Sequence, residues 1–364
     1  MYVVLAQCFP SRVGGIENLV SNLAISIGKN NKVLVLADRY HFLHDTIYDN
    51  KHKDRITVRR YGGMKFFRRR KKIKDLKLFI QSHQIQCVIA DTWKSIELCI
   101  DDLHAQNIPV MCLAHGDELF CNNSNRKMRV SSTLDKASVI IANSNYTAGL
   151  VKQLIKNVKK IKVVYPGAND LCSLESDDFL KINGNPIILT LARLLKRKGH
   201  IFILQAIQKL KRKFPNIKYI IAGDGVEKTT LKRLVKKYNL QKCVFFTGKV
   251  NEEQKKFLFD ITTIMVMPTL DESHKYSIEG FGIVYIEAAF FGIPSVASNI
   301  GGTPEAVLQD KTGIIIDNPS QLYQKINELL SNQNKLKQLG EDAKKRAKKS
   351  FTWDKVVINY LSTL

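Results

Sequence analysis

No apolar run in this chain approaches the ~18–20 residues a membrane-spanning helix needs, so nothing in it reads as a transmembrane segment. The seven cysteines (Cys8, Cys87, Cys99, Cys112, Cys121, Cys172, Cys243) are odd in number and scattered. None forms Cys-x-x-Cys, so neither a zinc site nor a disulfide framework is expected, and reduced thiols point to the cytoplasm. The chain opens at once on Tyr2-Val3-Val4-Leu5-Ala6, without a basic n-region or a cleavage site, and no secretory leader is expected. Gly-x4-Gly-Lys-Ser/Thr and Gly-x-Ser-x-Gly are both missing, which removes support for P-loop and α/β-hydrolase readings. Asp-x-Asp is missing too. Acids are scarce: Asp and Glu number 33 against 57 Lys and Arg, a net charge of +24.

That excess suits an anionic lipid surface, nucleic acid or a phosphorylated substrate. The plain alternative is a surface coated with lysine. No nucleic-acid recognition motif accompanies the charge, so no specific nucleic acid is expected. The densest cluster runs through Lys65, Phe66, Phe67, Arg68, Arg69, Arg70, Lys71, Lys72, Lys74 and Lys77, with Asp75 as its single acid. Its aromatics make Phe66–Lys77 a candidate contact with an anionic membrane, where each basic side chain contributes about 1 kcal/mol. A solvated helix face is the alternative.

The chain does have a sustained rhythm of short apolar runs and helical patterns. Runs at Tyr2–Ala6, Lys32–Ala37, Cys87–Ala90, Val110–Ala114, Val139–Ala142 and Ile161–Val164 predict strands, with helical patterns between them. After the stretch from Pro166 to Pro186 the rhythm restarts at Ile187–Leu191, Lys218–Ala222, Cys243–Thr247, Ile264–Met267, Ser295–Ala297 and Gly313–Ile316. Such alternation predicts an α/β chain with two parallel sheets, each covered by helices on both faces. With 364 residues, 45% of them hydrophobic, there is chain enough for two cores.

Chemistry concentrates at the ends of these runs. Glu279-Gly-Phe-Gly-Ile-Val-Tyr-Ile-Glu287 sets two carboxylates eight positions apart around two glycines and an apolar run. Phe290-Phe291-Gly292-Ile293-Pro294 then reads as a helix stop, so a buried helix is expected over 282–291. A buried Glu needs a polar partner, and glycines at a helix N-terminus leave amides free for an anion. Ser11-Arg12-Val13-Gly14-Gly15 and Leu191-Ala192-Arg193-Leu194-Leu195-Lys196-Arg197-Lys198-Gly199 each follow a predicted strand and open onto a helix. Two fixed cations in the second loop can stabilise a departing diphosphate without a metal. His115 lies at the C-terminal end of a predicted strand, where open α/β sheets bind ligands. Glu118 beside it, and Asp224 in Ala222-Gly223-Asp224-Gly225, serve equally well as local caps.

Together these motifs resemble glycosyltransferase family 4, the retaining transferases of the GT-B fold. The wording Ser277-Ile278-Glu279-Gly280-Phe281-Gly282-Ile283-Val284 is most similar to bacterial GDP-mannose-dependent phosphatidylinositol-type mannosyltransferases. The resemblance implies two Rossmann-like domains facing across a cleft: residues 1–167 for the acceptor, 168–350 for the nucleotide sugar, and a terminal helix over 351–364 returning to the first domain. It implies catalytic roles for Glu279, His115, Arg193 and Lys198. Donor contacts would come from Gly15, Arg193, Lys198, Val250, Phe281, Gly282, Ile283, Val284 and Glu287. Within the second loop, Arg193 and Lys198 match the family pattern; Lys196 and Arg197 do not. The Gly301-Gly302 turn and Tyr165-Pro166-Gly167 match as architecture.

The implied reaction moves a hexose, mannose favoured, from GDP-mannose or a UDP-sugar to a glycan or glycolipid acceptor in envelope synthesis, with no cofactor. The missing Asp-x-Asp argues against a GT-A transferase, whose metal rides on that pair, so no metal is expected. A cytoplasmic protein is implied, with the inner face of the plasma membrane as its candidate surface. A catalytically silent nucleotide-sugar-binding scaffold of the same fold is the alternative, and a sugar phosphorylase lacks an identifiable cofactor lysine.

Overall fold

The structure is a computed structural model describing residues 1–364. Two compact units emerge from its contacts: residues 1–167 together with 353–364, and residues 168–352. No helix is long and apolar enough to cross a membrane.

The first unit is built on seven strands: β1 (Tyr2–Ala6), β2 (Val33–Asp38), β3 (Thr57–Tyr61), β4 (Cys87–Ala90), β5 (Val110–Ala114), β6 (Val139–Ala142) and β7 (Ile161–Val163). They form one parallel sheet in the order β3-β2-β1-β4-β5-β6-β7. β1, β2, β4, β5 and β6 are almost wholly buried, which explains their unbroken apolar wording. β3 is different. It forms the sheet edge, alternates exposed and half-buried residues, and carries Arg59 and Arg60. Its Thr-Val-Arg-Arg-Tyr wording has no apolar run, so it escaped the sequence-based expectation.

Helix Gly15–Ile27 buries Leu19, Leu23 and Ile27 at four-residue spacing, a single stripe turned to the core. The terminal helix Trp353–Leu361 belongs to this unit and packs against it, burying Val356 and Tyr360. A Cβ on Gly167 would lie 2.7 Å from the Trp353 ring, so only glycine admits the indole there.

In the second unit, β8 (Ile187–Leu191), β9 (Lys218–Ala222), β10 (Val244–Gly248), β11 (Ile264–Met267), β12 (Ser295–Ser298) and β13 (Gly313–Ile316) form a parallel sheet in the order β10-β9-β8-β11-β12-β13. In both sheets the chain starts centrally, winds outward one way, then returns to wind the other. The strand order reverses at β1/β4 and at β8/β11, and the loops leaving these strands border the crevice where open α/β sheets take ligands.

Helix Ile283–Phe290 is buried nearly all round and rests on helix Gln333–Ser350. The contact is close enough that a Cβ on Gly340 would stand 2.1 Å from the Gly292 carbonyl oxygen. Alanine at a helix interior ordinarily gains about 0.5–1 kcal/mol over glycine. Here the clash outweighs that gain. Gly340→Ala is therefore expected to destabilise the protein by about 1–3 kcal/mol, read as a lower denaturant midpoint; an unchanged or raised midpoint would contradict the packing described.

Candidate active site

The loop leaving β8 turns its basic residues in opposite directions. Residues Lys196–Lys198 form one 3-10 turn, in which Arg197 and Lys198 are buried while Lys196 faces solvent. Gly199 closes the turn at φ 70°, where a Cβ would meet the Pro268 carbonyl oxygen at 2.2 Å. The Arg197 carbonyl accepts the Leu270 N–H at 2.7 Å, locking this loop to the one leaving β11.

Both buried cations converge on Glu279. Its Oε2 accepts from Arg197 Nη1 at 3.2 Å and from Lys198 Nζ at short range. The Glu279 carbonyl accepts the Gly302 N–H at 2.9 Å. Gly301, at φ 58°, lies so close that a Cβ would fall 2.2 Å from that same oxygen. The glycine pair 301–302 thus seats the Glu279 backbone.

Two cations on one carboxylate leave the cluster short of negative charge. Burial opposes ionisation of Glu279, but Lys198 and Arg197 outweigh it and hold the carboxyl below its ordinary value. Burial also lowers the Lys198 ammonium, Glu279 opposes this, and repulsion from Arg197 and Arg193 adds to it. Arg197 Nε is buried without a hydrogen-bond partner. Arg193 is exposed and makes no ion pair; it acts on the cluster through its field.

Four residues beyond Glu279, helix Ile283–Phe290 begins, with Gly282 as its N-cap at φ 95°. A Cβ on Gly282 would meet the Tyr285 ring at 2.6 Å. The Gly282, Ile283 and Val284 amides find no acceptor in the protein. Phe281 is buried beside them. Further along the helix, Glu287 Oε1 pairs with Lys255 Nζ at 2.7 Å. Lys255 belongs to helix Glu252–Ile261, whose start is set by an Asn251–Gln254 capping box directly after half-buried Val250. Val250 thus precedes the cap of the helix whose Lys255 reaches Glu287. In the β9 turn, Cβ atoms on Gly223 and Gly225 would strike the Ala192 and Leu194 carbonyls at 2.0 and 2.5 Å, and Asp224 pairs outward with Lys228.

The first unit holds the other expected residues. Gln7 and Cys8 N–H, just past β1, donate to Asp91 Oδ2 at 2.7 and 2.8 Å, tying the β1 and β4 loops together. His115 Nε2 lies 2.8 Å from the Asp91 carbonyl oxygen. A carbonyl only accepts, so the Nε2–H is the donor in this contact. The His115 N–H donates to Glu118 Oε1 at 2.7 Å. Gly14 is extended under the Glu17 carboxylate, which a Cβ there would strike, and Glu17 pairs with Arg12 at 2.9 Å. Gly15 stands open, with nothing within 4 Å of a Cβ.

Reading the sequence alone set Arg197 aside in favour of Arg193; the structure puts Arg197 on Glu279 and Arg193 in solvent. Nothing in the sequence marks which of the four basic residues in this loop turn inward.

Two family models match the chain in succession: "Glycosyltransferase Family 4" over residues 13–170 and "Glycosyl transferases group 1" over 174–346. The chain belongs to the family 4 glycosyltransferases, with the GT-B fold. It is 33% identical over 136 residues to a GDP-mannose-dependent phosphatidylinositol monomannoside mannosyltransferase of Mycolicibacterium smegmatis, a match spanning 37% of this chain and 36% of that protein. Anabaena HepE, solved in complex with UDP and glucose, superposes with a TM-score of 0.80 over 100% of both chains at 20% identity. Sucrose-phosphate synthase of Thermosynechococcus elongatus superposes with a TM-score of 0.79 at 19% identity, covering 99% of this chain and 97% of its own.

The depressed native carboxyl of Glu279 has a sign. Its contribution to stability is complete above its ordinary value of 4.5 and is lost as pH falls through the lower native value. Melting temperature is therefore expected to fall on acidification below that point. Glu279→Gln should flatten this segment of the profile; an identical profile in the variant would show the pair contributes no linkage.

Proposed function

We propose that the protein is a retaining hexosyltransferase using a nucleotide diphosphate sugar. The observation that carries the reading is the Arg197–Lys198–Glu279 cluster, short of negative charge, beside the unpartnered amides of Gly282, Ile283 and Val284. This pairing suits a diphosphate linked to a hydroxylated ring. The amides and the cations Arg197 and Lys198 take the phosphates; exposed Arg193 supplies further positive field. Glu279, already ionised, accepts hydroxyls of the sugar. Glu287, steered by Lys255, takes the ribose hydroxyls, and Val250 and Phe281 border the nucleotide.

In the proposed reaction the bond from anomeric carbon to diphosphate oxygen breaks. The acceptor oxygen forms the new bond on the same face. The acceptor proton passes to the leaving phosphate, so the proposed step needs no dedicated base and no metal. His115 and Gly15 stand at the C-terminal edge of the first unit's sheet. The likeness to GDP-mannose enzymes favours mannose and a glycolipid or glycan acceptor in envelope synthesis, while the UDP complex of HepE keeps UDP-sugars in view.

An anionic membrane is the proposed surface, at a smaller patch than expected. Arg68, Arg69, Lys72 and Lys77 are committed to Asp38, Glu97, Asp38 and Asp102. That leaves exposed Phe66 and Phe67 with Arg70, Lys71 and Lys74, and absence of co-sedimentation with anionic vesicles at low salt would remove this part of the reading.

Transfer is measured as donor-dependent release of nucleoside diphosphate. Glu279→Ala and Lys198→Ala are each expected to lower turnover at least ~10²-fold with the melting curve still cooperative, the loss typical of one oxyanion donor. Turnover should survive EDTA. Near-normal turnover in either variant would sink the assignment.

A further inference from the structure

The first unit contains a second charged concavity that neither the Glu279 site nor the membrane patch uses. It encloses about 420 Å³ and is lined by Lys65, Arg69, Trp93, Lys94, Glu97, Asn122, Asn123, Asn125, Arg126 and Arg129. Four segments meet there: the start of helix Lys65–Ser82, the turn after β4, the loop after β5, and helix Ser124–Lys136. Five cations face one carboxylate. Glu97 is spent on two of them, Arg69 at 3.0 Å and Arg129 through its Nε. Lys65, Lys94 and Arg126 have no carboxylate partner.

Arg126 is the most telling of the three. Its Nη2 donates to the Glu118 carbonyl oxygen at 3.1 Å, while its Nε is buried with no acceptor. The side chain as a whole is half-buried and lines the concavity, so its outer N–H groups are the ones a ligand there would meet. The cations also strain one another. Burial lowers the Lys94 ammonium, and Arg126 and Lys65 press it down further against the pull of Glu118. Trp93 forms a flat wall, buried and fixed by its indole N–H donating to the Glu118 carbonyl oxygen at 3.0 Å. Asn122, Asn123 and Asn125 add neutral amides around it. Planar guanidinium groups, an ammonium and amides over an aromatic wall suit a phosphate attached to a hydroxylated ring, and the volume falls in the range of small-molecule sites.

The concavity is coupled to His115 through one residue. The Glu118 carbonyl oxygen anchors Trp93 and Arg126, and its carboxylate holds the His115 N–H. Both features therefore stand at the C-terminal edge of the same sheet.

We propose that this pocket selects the acceptor by its phosphate: the glycosyl acceptor carries a phosphomonoester or phosphodiester that Arg126, Lys94 and Lys65 bind over Trp93. The assignment of an acceptor rests on the transferase reading; the phosphate site itself does not.

Binding is measured by titration calorimetry at fixed ionic strength without donor, using the full chain. The soluble probe is mannose 6-phosphate against mannose. The lipid probe is phosphatidylcholine vesicles with and without phosphatidylinositol. Wild type is expected to prefer the phosphate-bearing member of at least one pair. Binding of mannose 6-phosphate identifies a soluble phosphorylated acceptor, and binding of the phosphatidylinositol vesicles alone identifies a lipid headgroup. Arg126→Gln and Lys94→Gln should each weaken that preference ~10-fold, the loss of one charge-assisted bond, while Lys94→Arg retains it. Nucleoside diphosphate binding should be unchanged in all three, which separates failure of this site from failure of the donor site. No preference for phosphate in either pair, wild-type binding in both Gln variants, or an equal loss in Lys345→Gln, an exposed lysine of the second unit outside both the pocket and the membrane patch, would overturn the proposal.

Discussion

The second unit is organised around one carboxylate. Glu279, its side chain 14% exposed, stays ionised against its partial burial because Arg197 and Lys198 reach it from a different loop. That requirement fixes the 3-10 turn of Lys196–Lys198, the left-handed Gly199 that ends it, and the lock between Arg197 and Leu270. It also fixes the other side, where Gly301 and Gly302 come close enough to seat the Glu279 backbone. Removing either cation strands the charge, and removing the carboxylate leaves two buried cations facing each other. In the absence of ligand the cluster is held together but not neutral, and the proposed function depends on this residual positive charge.

The same economy recurs in the first unit with different residues. Asp91 ties the β1 and β4 loops through two backbone amides, and its carbonyl oxygen takes the His115 imidazole. Glu118 then carries the chain of contacts on to Trp93 and Arg126. Each unit thus sets its polar groups at the C-terminal edge of a parallel sheet, where strand order reverses and the loops diverge. The family matches and the full-length superpositions agree with this arrangement of two parallel sheets in a GT-B chain.

Much of this was legible because fully buried strands and glycine turns leave plain signals. The central strands read as unbroken apolar runs, and helix Ile283–Phe290 was marked by its flanking glycines and Pro294. The edge strand Thr57–Tyr61 was not, because half of its residues meet solvent and their wording is polar. The direction of Arg197 was missed for another reason: four basic residues in one loop look equivalent until the backbone decides which point inward. The basic cluster read as a single membrane patch, yet half of its charges are spent on Asp38, Glu97 and Asp102. The Trp93–Arg126 pocket was invisible in one dimension, since its walls come from four segments and no single one carries a motif.

The measurement that bears most directly on the central claim is thermal stabilisation by donors in EDTA. Wild type and Lys198→Ala are melted with GDP-mannose, UDP-glucose, UDP-N-acetylglucosamine, UDP-galactose, GDP and UDP. The account predicts that one nucleotide sugar and its diphosphate raise the wild-type melting temperature and that Lys198→Ala loses most of the shift. No shift from any donor, or a full shift retained in the variant, would contradict a diphosphate site built on Lys198, Arg197 and Glu279.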